Sequence, residues 1–461
     1  MKMIIDISRV GSLGVLVALM LASASGCGDD DDANNPTSDA STADGTVADT
    51  STSDANPPDT GTPDAEPQEP VDPLYVAHFT QQTPDAFNSL VGIVSDLSAG
   101  TQFDVTGALT FPGFLGVVTP PTPNGSFFVM LGDETVIIRY DISETGELVE
   151  FDPRLNYSSL GATRGNFMLS FAHFISEDRA YMVVPDALSV LVWNPQTMTI
   201  VESIDLSSGL TPPDNLRTRT TDSRIDAQGR LLVPMGYCRF MNDDNTCAPL
   251  MRVAIIDPTD FSVTYDEDTR CGRPTLSVTD ASGAIYFISH PGQSSQFVGG
   301  AAGDPAFPGC LIRVQAGADG FDPNYYVNQL DLTPEGRPIG SIIPGVGNRA
   351  YATVWPRSPD EFDAANWFEL RSEPVWQVFS FEPGNEAATF ALESGIPTTA
   401  DQISGRLVSV RRPSGEDELI PVALTNPDGF DSTTFNDVSD PNNWAPGIVF
   451  PGFAYSVNRA R

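Results

Sequence analysis

Five cysteines and three histidines are the residues of this chain best suited to redox, metal or proton chemistry. Cys238, Cys247, Cys271 and Cys310 lie in the second half, whereas Cys27 stands alone near the start. Thiolates hold zinc when they recur at short regular intervals. These spacings are uneven, so disulfides and a four-cysteine metal site compete as readings. The histidines, His78, His173 and His290, are far apart in sequence. His290 opens a long loop and can line a pocket or simply be solvated. His173 sits in the alternating run 171–175, where it faces either a channel or a core. No HExxH, GxSxG, P-loop or EF-hand loop is present, so no catalytic residue and no dedicated metal ligand is assigned. The oxygen-rich clusters Asn242, Asp243, Asp244, Asn245 and Asp266, Glu267, Asp268 leave Ca²⁺ as the one cofactor to consider, against their reading as solvated loop ends.

The elements that position these residues follow a leader and a spacer. The 461 residues carry 24 Lys plus Arg against 61 Asp plus Glu, a formal charge of -37. Such a chain repels phosphate backbones, so no nucleic-acid partner is expected. Lys2 and Arg9 precede an apolar run over 13–22 and small residues up to Ala24-Ser25-Gly26-Cys27. An apolar core this short, with basic flanks, is a secretory signal and not a membrane span. The ending ASGC resembles the lipobox of bacterial lipoproteins, with Ala24 where that family usually has leucine. The resemblance implies a signal peptide over 1–26, acylation of Cys27 and anchoring in the lipid bilayer of a bacterial envelope, in the outer membrane. An ordinary signal peptide with an incidental Cys27 is the alternative.

Residues 27–73 are rich in Ser, Thr, Asp and Pro and nearly devoid of large apolar side chains, so they are expected to form a disordered acidic tether. Asp39, Asp44, Asp49, Asp54, Asp59 and Asp64 recur every five residues, a spacing that fits neither a helix face nor a Ca²⁺ loop. Such a tether spans roughly 35 to 40 Å as a flexible coil, more under self-repulsion. An acidic run after the lipid-bearing cysteine also resembles the surface-export signal of some bacterial lipoproteins. Surface display is the implied address, and retention on the periplasmic side the alternative.

From residue 74 the texture becomes alternating apolar runs and turns. A turn followed by a strand recurs seven times, at Asn124, Glu177, Gln228, Ser282, Gly347, Ser404 and Pro451. The spacing suits four-stranded propeller blades. The cleanest copy spans 179–206, with strands expected at 180–184, 189–193 and 199–206, and 171–175 as the strand before them. The pattern resembles the YVTN and WD-type propellers in strand placement, without the WD dipeptide. An all-β propeller domain of about seven blades is therefore expected over 74–461. The strand at 453–458 has nothing after it, and 90–96 with 103–109 supply what it lacks, so the N- and C-terminal strands should close the ring. Residues 74–79 are left over.

Strand alternation puts the connections between second and third strands, and between successive blades, on one face. Those connections lengthen between residues 237 and 421, and long loops on a rigid scaffold are where binding concentrates. On this order Cys238 and Cys247 bracket one such loop, while Cys271 and Cys310 meet on the same face. The expected disulfides are Cys238 with Cys247 and Cys271 with Cys310. Tyr237, Arg239, His290, Trp355, Arg357, Trp367, Arg411 and Arg412 are the candidate contacts of the face. The expected function is capture of a protein or glycan, without catalysis. The alternative is a propeller enzyme, a lactonase-like hydrolase or a lyase, with a metal in the axial channel.

Overall fold

A computed structural model describes residues 73–461 outside 83–86, 290–308, 345–347, 362–372, 386–389, 400–409, 412–418, 426–431, 438–444 and a few single or paired positions. Side chains at several further strand positions, 239–246 among them, are likewise not described. The expected leader and tether, with Cys27, lie outside the described residues. Among the described residues helix is confined to short turns, and no helix is long and apolar enough to cross a membrane.

The chain is an all-β propeller of small antiparallel sheets. The first three strands, β1 (Tyr75–Gln82), β2 (Phe87–Val94) and β3 (Leu109–Pro112), form a sheet completed from the other end of the sequence. The second blade holds β4 (Leu115–Val118), β5 (Ser126–Leu131), β6 (Val136–Ile142) and β7 (Leu148–Glu150), with β8 (Leu155–Asn156) beside β6. The third holds β9 (Ala172–Ser176), β10 (Arg179–Val184), β11 (Ser189–Asn194) and β12 (Thr199–Asp205). The fourth has an interrupted first strand, β13 (Arg217–Arg219) and β14 (Arg224–Ile225), then β15 (Leu231–Met241), β16 (Asp244–Ile256) and β17 (Val263–Asp268). The fifth holds β18 (Pro274–Thr279), β19 (Ile285–Ser289), β20 (Cys310–Val314) and β21 (Val327–Asn328). The sixth holds β22 (Ile339–Pro344), β23 (Ala350–Val354), β24 (Gln377–Phe381) and β25 (Ala391–Leu392). A pair, β26 (Val410–Arg411) with β27 (Leu419–Ile420), and a three-stranded sheet, β28 (Val422–Thr425), β29 (Ser432–Asp437) and β30 (Ala445–Pro451), precede β31 (Phe453–Arg459).

Among the described residues six complete blades are found where about seven were expected. The difference lies at the Ser404 copy, which falls almost wholly outside the described residues and is followed by the smaller sheets. Ring closure is as expected: β31 pairs with β1, giving the order β3-β2-β1-β31. The leftover stretch 74–79 is β1 itself, so the N-terminus contributes three strands. Of the stretch 103–109 only its end enters β3; Phe103 instead packs against Phe79 and Phe450. The last strand of the fifth blade is short, Val327–Asn328, and a helical turn follows it at Gln329–Leu332.

Burial orients each sheet. All four residues of β4 are buried, whereas only Ile204 of β12 and no residue of β7 is, so last strands lie outward. The middle strands are apolar on both faces because each packs against two neighbouring blades. Ala180, Met182 and Val184 of β10 join the core shared with the second blade, and Tyr181 and Val183 the core shared with the fourth. The recurring turn before a second strand has a local cause, seen at Ser282. Asp280 accepts the backbone N–H groups of Ser282 and Ala284, and Gly283 takes φ 84° between them, a conformation unfavourable for other residues.

Candidate binding face and axial cluster

Antiparallel order places the ends of second and fourth strands, and the starts of first and third, on one end of the propeller. Both disulfides form there with the expected pairing, Cys238 with Cys247 and Cys271 with Cys310, at Cα separations of 4.1 and 5.9 Å. The first lies between directly opposed residues of β15 and β16. These two strands continue pairing out to Met241 and Asp244, whereas β16 and β17 stop pairing at Met251 and Asp268. The hairpin therefore stands out beyond its own blade as an arm, stapled at its base. The second disulfide ties the link between the fourth and fifth blades to the start of β20. Beside it Arg270 binds Asp268 and reaches the carbonyls of Asp322 and Pro323 on the next blade. Arg313 in turn holds the Asp322 carboxylate, which with Gln315 brings its pKa down to about 2. The acidic cluster considered for Ca²⁺ is engaged in these contacts: Asp266 accepts the Phe321 N–H and Asp268 faces Arg270.

The candidate contact residues fall into three groups. Tyr237 and Trp355 are buried, at 1% and 0% exposure, so they support the face from beneath. Trp355 packs edge-on against Trp376 at 5.3 Å, across the opening between β23 and β24. Arg357 is exposed above them, its guanidinium 5.2 Å from the Trp355 ring and 3.9 Å from Glu373. For Arg239 and Arg411 the structure gives strand positions, opposite Thr246 and Leu419, without described side chains. His290, Trp367 and Arg412 lie outside the described residues.

A second polar site sits on the inner strands of the third, fourth and fifth blades. His173 on β9 is the sequence candidate it contains. Its Nε2 lies 2.8 Å from Ser223 Oγ, which in turn lies 2.6 Å from the Ser170 carbonyl oxygen. A carbonyl only accepts, so the Ser223 proton goes to Ser170 and His173 must donate through Nε2–H. That is the reverse of a nucleophile and its base, in which the hydroxyl proton points at the imidazole. Burial, then the charge of Arg224, brings the His173 pKa down to about 4, so the ring is neutral at neutral pH.

The neighbouring residues complete the cluster. Ser277 Oγ on β18 donates to Asp222 Oδ2 at 2.5 Å and accepts from Arg224 Nε at 2.7 Å, while Arg224 also donates to the Ser277 carbonyl. Asp222 is fully buried; desolvation raises its pKa, against the opposing pull of Arg224 and its hydrogen bonds. These groups join blades whose residues are some 50 positions apart in sequence and bond one another, while Asp222 Oδ1 is buried without a hydrogen-bond partner. Asp222, Ser223, Arg224 and Ser277 were not singled out from sequence. The available signal is the polar run RTRTTDSR at 217–224, where the second blade places the apolar LGVV of β4. Among the described residues no three of His, Cys, Asp and Glu converge as a metal site would require.

No protein-family model matches the chain, and no curated protein does. Solved structures with a similar course include a 6-phosphogluconolactonase candidate from Bacteroides uniformis ATCC 8492, 11% identical over 84% of this chain and 100% of that one, with a TM-score of 0.47. A second 6-phosphogluconolactonase candidate, from Bacteroides fragilis NCTC 9343, is 10% identical over 86% and 100%, with a TM-score of 0.44. The WD40 domain of Neurospora crassa Pan2 is 10% identical over 75% and 81%, with a TM-score of 0.39. At these values the similarity says nothing of this chain's activity.

Proposed function

We propose that the chain is an exported, lipid-anchored propeller, held off a bacterial outer membrane by its acidic tether, that binds a protein or glycan through the face carrying its disulfides. The observation that supports this reading is that both disulfides, the projecting β15–β16 arm and the Arg270 bridge lie at one end of the ring. Rigid support under long connections is what a binding surface needs, since loops ordered before contact lose less entropy on binding. Binding is favoured over hydrolysis because the axial cluster, the one place where a serine, a histidine and an aspartate meet among the described residues, holds its serine proton away from the imidazole.

The test compares the purified chain with a variant whose β15–β16 arm beyond Cys238 and Cys247, and whose 356–374 connection, are replaced by short turns. Both are applied to a glycan array and to cross-linking on intact envelopes. The reading expects capture by the parent and none by the variant, at unchanged thermal unfolding. Equal capture by both would refute it. Protease shaving of intact cells tests the address, with loss of the propeller expected for surface display.

A further inference from the structure

His78 is the most isolated polar side chain of the described fold. It lies on β1 at 1% exposure, and neither ring nitrogen has a hydrogen-bond partner within the protein. Directly opposite on the closing strand β31 is Ser456, fully buried, whose Oγ is also without a protein partner. Opposed residues of an antiparallel pair project from the same face with Cβ atoms about 5 Å apart. Three unmatched polar atoms therefore converge at the seam that closes the ring. The register jumps here, from His78 opposite Ser456 to Phe79 opposite Ala454, leaving Tyr455 as the bulged residue. Its ring stacks on His78 at 4.9 Å, and Phe114 stands edge-on to it at 6.4 Å, so aromatic walls surround the polar atoms.

We propose that this seam is a binding site for one ordered water molecule, bridging His78 and Ser456 and setting the register of the closing strand. A neutral imidazole offers one donor and one acceptor, and a serine hydroxyl offers both. Water alone among abundant small species matches that set while carrying no charge, and a buried ion would lose its hydration with no opposite charge from either residue. The bridge acts on register because a slip of β31 by one residue sets Tyr455 or Val457 opposite His78 and removes Ser456 from reach.

High-resolution crystallography of the purified chain at neutral pH tests the site directly. The expected result is a water within about 3.2 Å of an imidazole nitrogen and of Ser456 Oγ. A direct bond between His78 and Ser456, or a dry seam, overturns the proposal. An independent measurement uses the unfolding constants of H78L, S456A and the double variant. Loss of either end leaves the water one-sided, so the second substitution should cost less than the first. The combined change in the unfolding constant should fall about five- to tenfold short of the product of the single changes, whereas simple multiplication overturns the bridge.

Discussion

The two disulfides close loops of different length, and their removal should separate them energetically. Cys238 and Cys247 are 9 residues apart, Cys271 and Cys310 39. Restriction of the unfolded chain grows with the logarithm of loop length, giving about 2.6 kcal/mol for the shorter loop and about 3.9 kcal/mol for the longer. The difference, about 1.3 kcal/mol, is roughly a tenfold difference in folding constant. The structure widens the contrast. The shorter disulfide staples an arm that projects beyond its blade, so its loss loosens the arm locally. The longer one joins a link between blades to a buried strand. Urea unfolding of C238S/C247S and C271S/C310S, each against the parent, measures both. C271S/C310S should lose more stability, and C238S/C247S should show its main effect as faster amide exchange in residues 239–246. An equal or greater global loss in C238S/C247S would refute the argument.

Three other outcomes follow from the fold. Burial lowers the His78 pKa to about 3, below the ordinary 6.5, so the unfolded chain binds a proton between those values that the folded chain refuses. Stability should fall as pH drops from about 6.5 toward 3, and H78L should flatten that dependence in pH-resolved urea melts; an unchanged slope would count against it. Arg224→Ala leaves the buried Asp222 without its guanidinium neighbour and should cost on the order of 3 kcal/mol, read by denaturation, with Arg224→Lys recovering only part because a single ammonium lacks the fork that spans the two Ser277 oxygens. Gly452, at φ 115°, connects β30 to β31, and a Cβ there would lie 2.2 Å from the Thr80 carbonyl oxygen. Gly452→Ala should therefore destabilise by about 2 kcal/mol or more, seen as a lowered urea midpoint.

Much of the architecture was legible because propeller strands write their positions locally. The run 179–206 yielded β10, β11 and β12 to within a residue, since its turns and apolar alternation are self-contained. The cysteine pairing was legible because Cys238 and Cys247 bracket one connection, while alternation brings Cys271 to the end of the blade where Cys310 lies. What depends on depth was harder to read. Tyr237 and Trp355 read in sequence as the starts of long connections, yet Tyr237 lies inside β15 opposite Thr218, Trp355 packs on Trp376, and both are buried. The partners of His173 in the axial cluster were hard to read for another reason: Asp222 and Ser277 are 55 residues apart, and nothing in either neighbourhood marks the other. The leftover strand β1 shows the same limit. Its partner, β31, lies at the far end of the sequence.

That closing pair also orders events in time. Thr80 and Phe453 touch across 373 residues, so β1 cannot acquire its inner neighbour until almost the whole domain has been synthesised. Until then β1 presents a bare hydrogen-bonding edge, and the ring remains a curved, open stack of blades. A chain made in this order becomes topologically sealed only when β31 docks. Chaperones that cover exposed sheet edges would be expected to act on it in that interval and to release it once β31 docks.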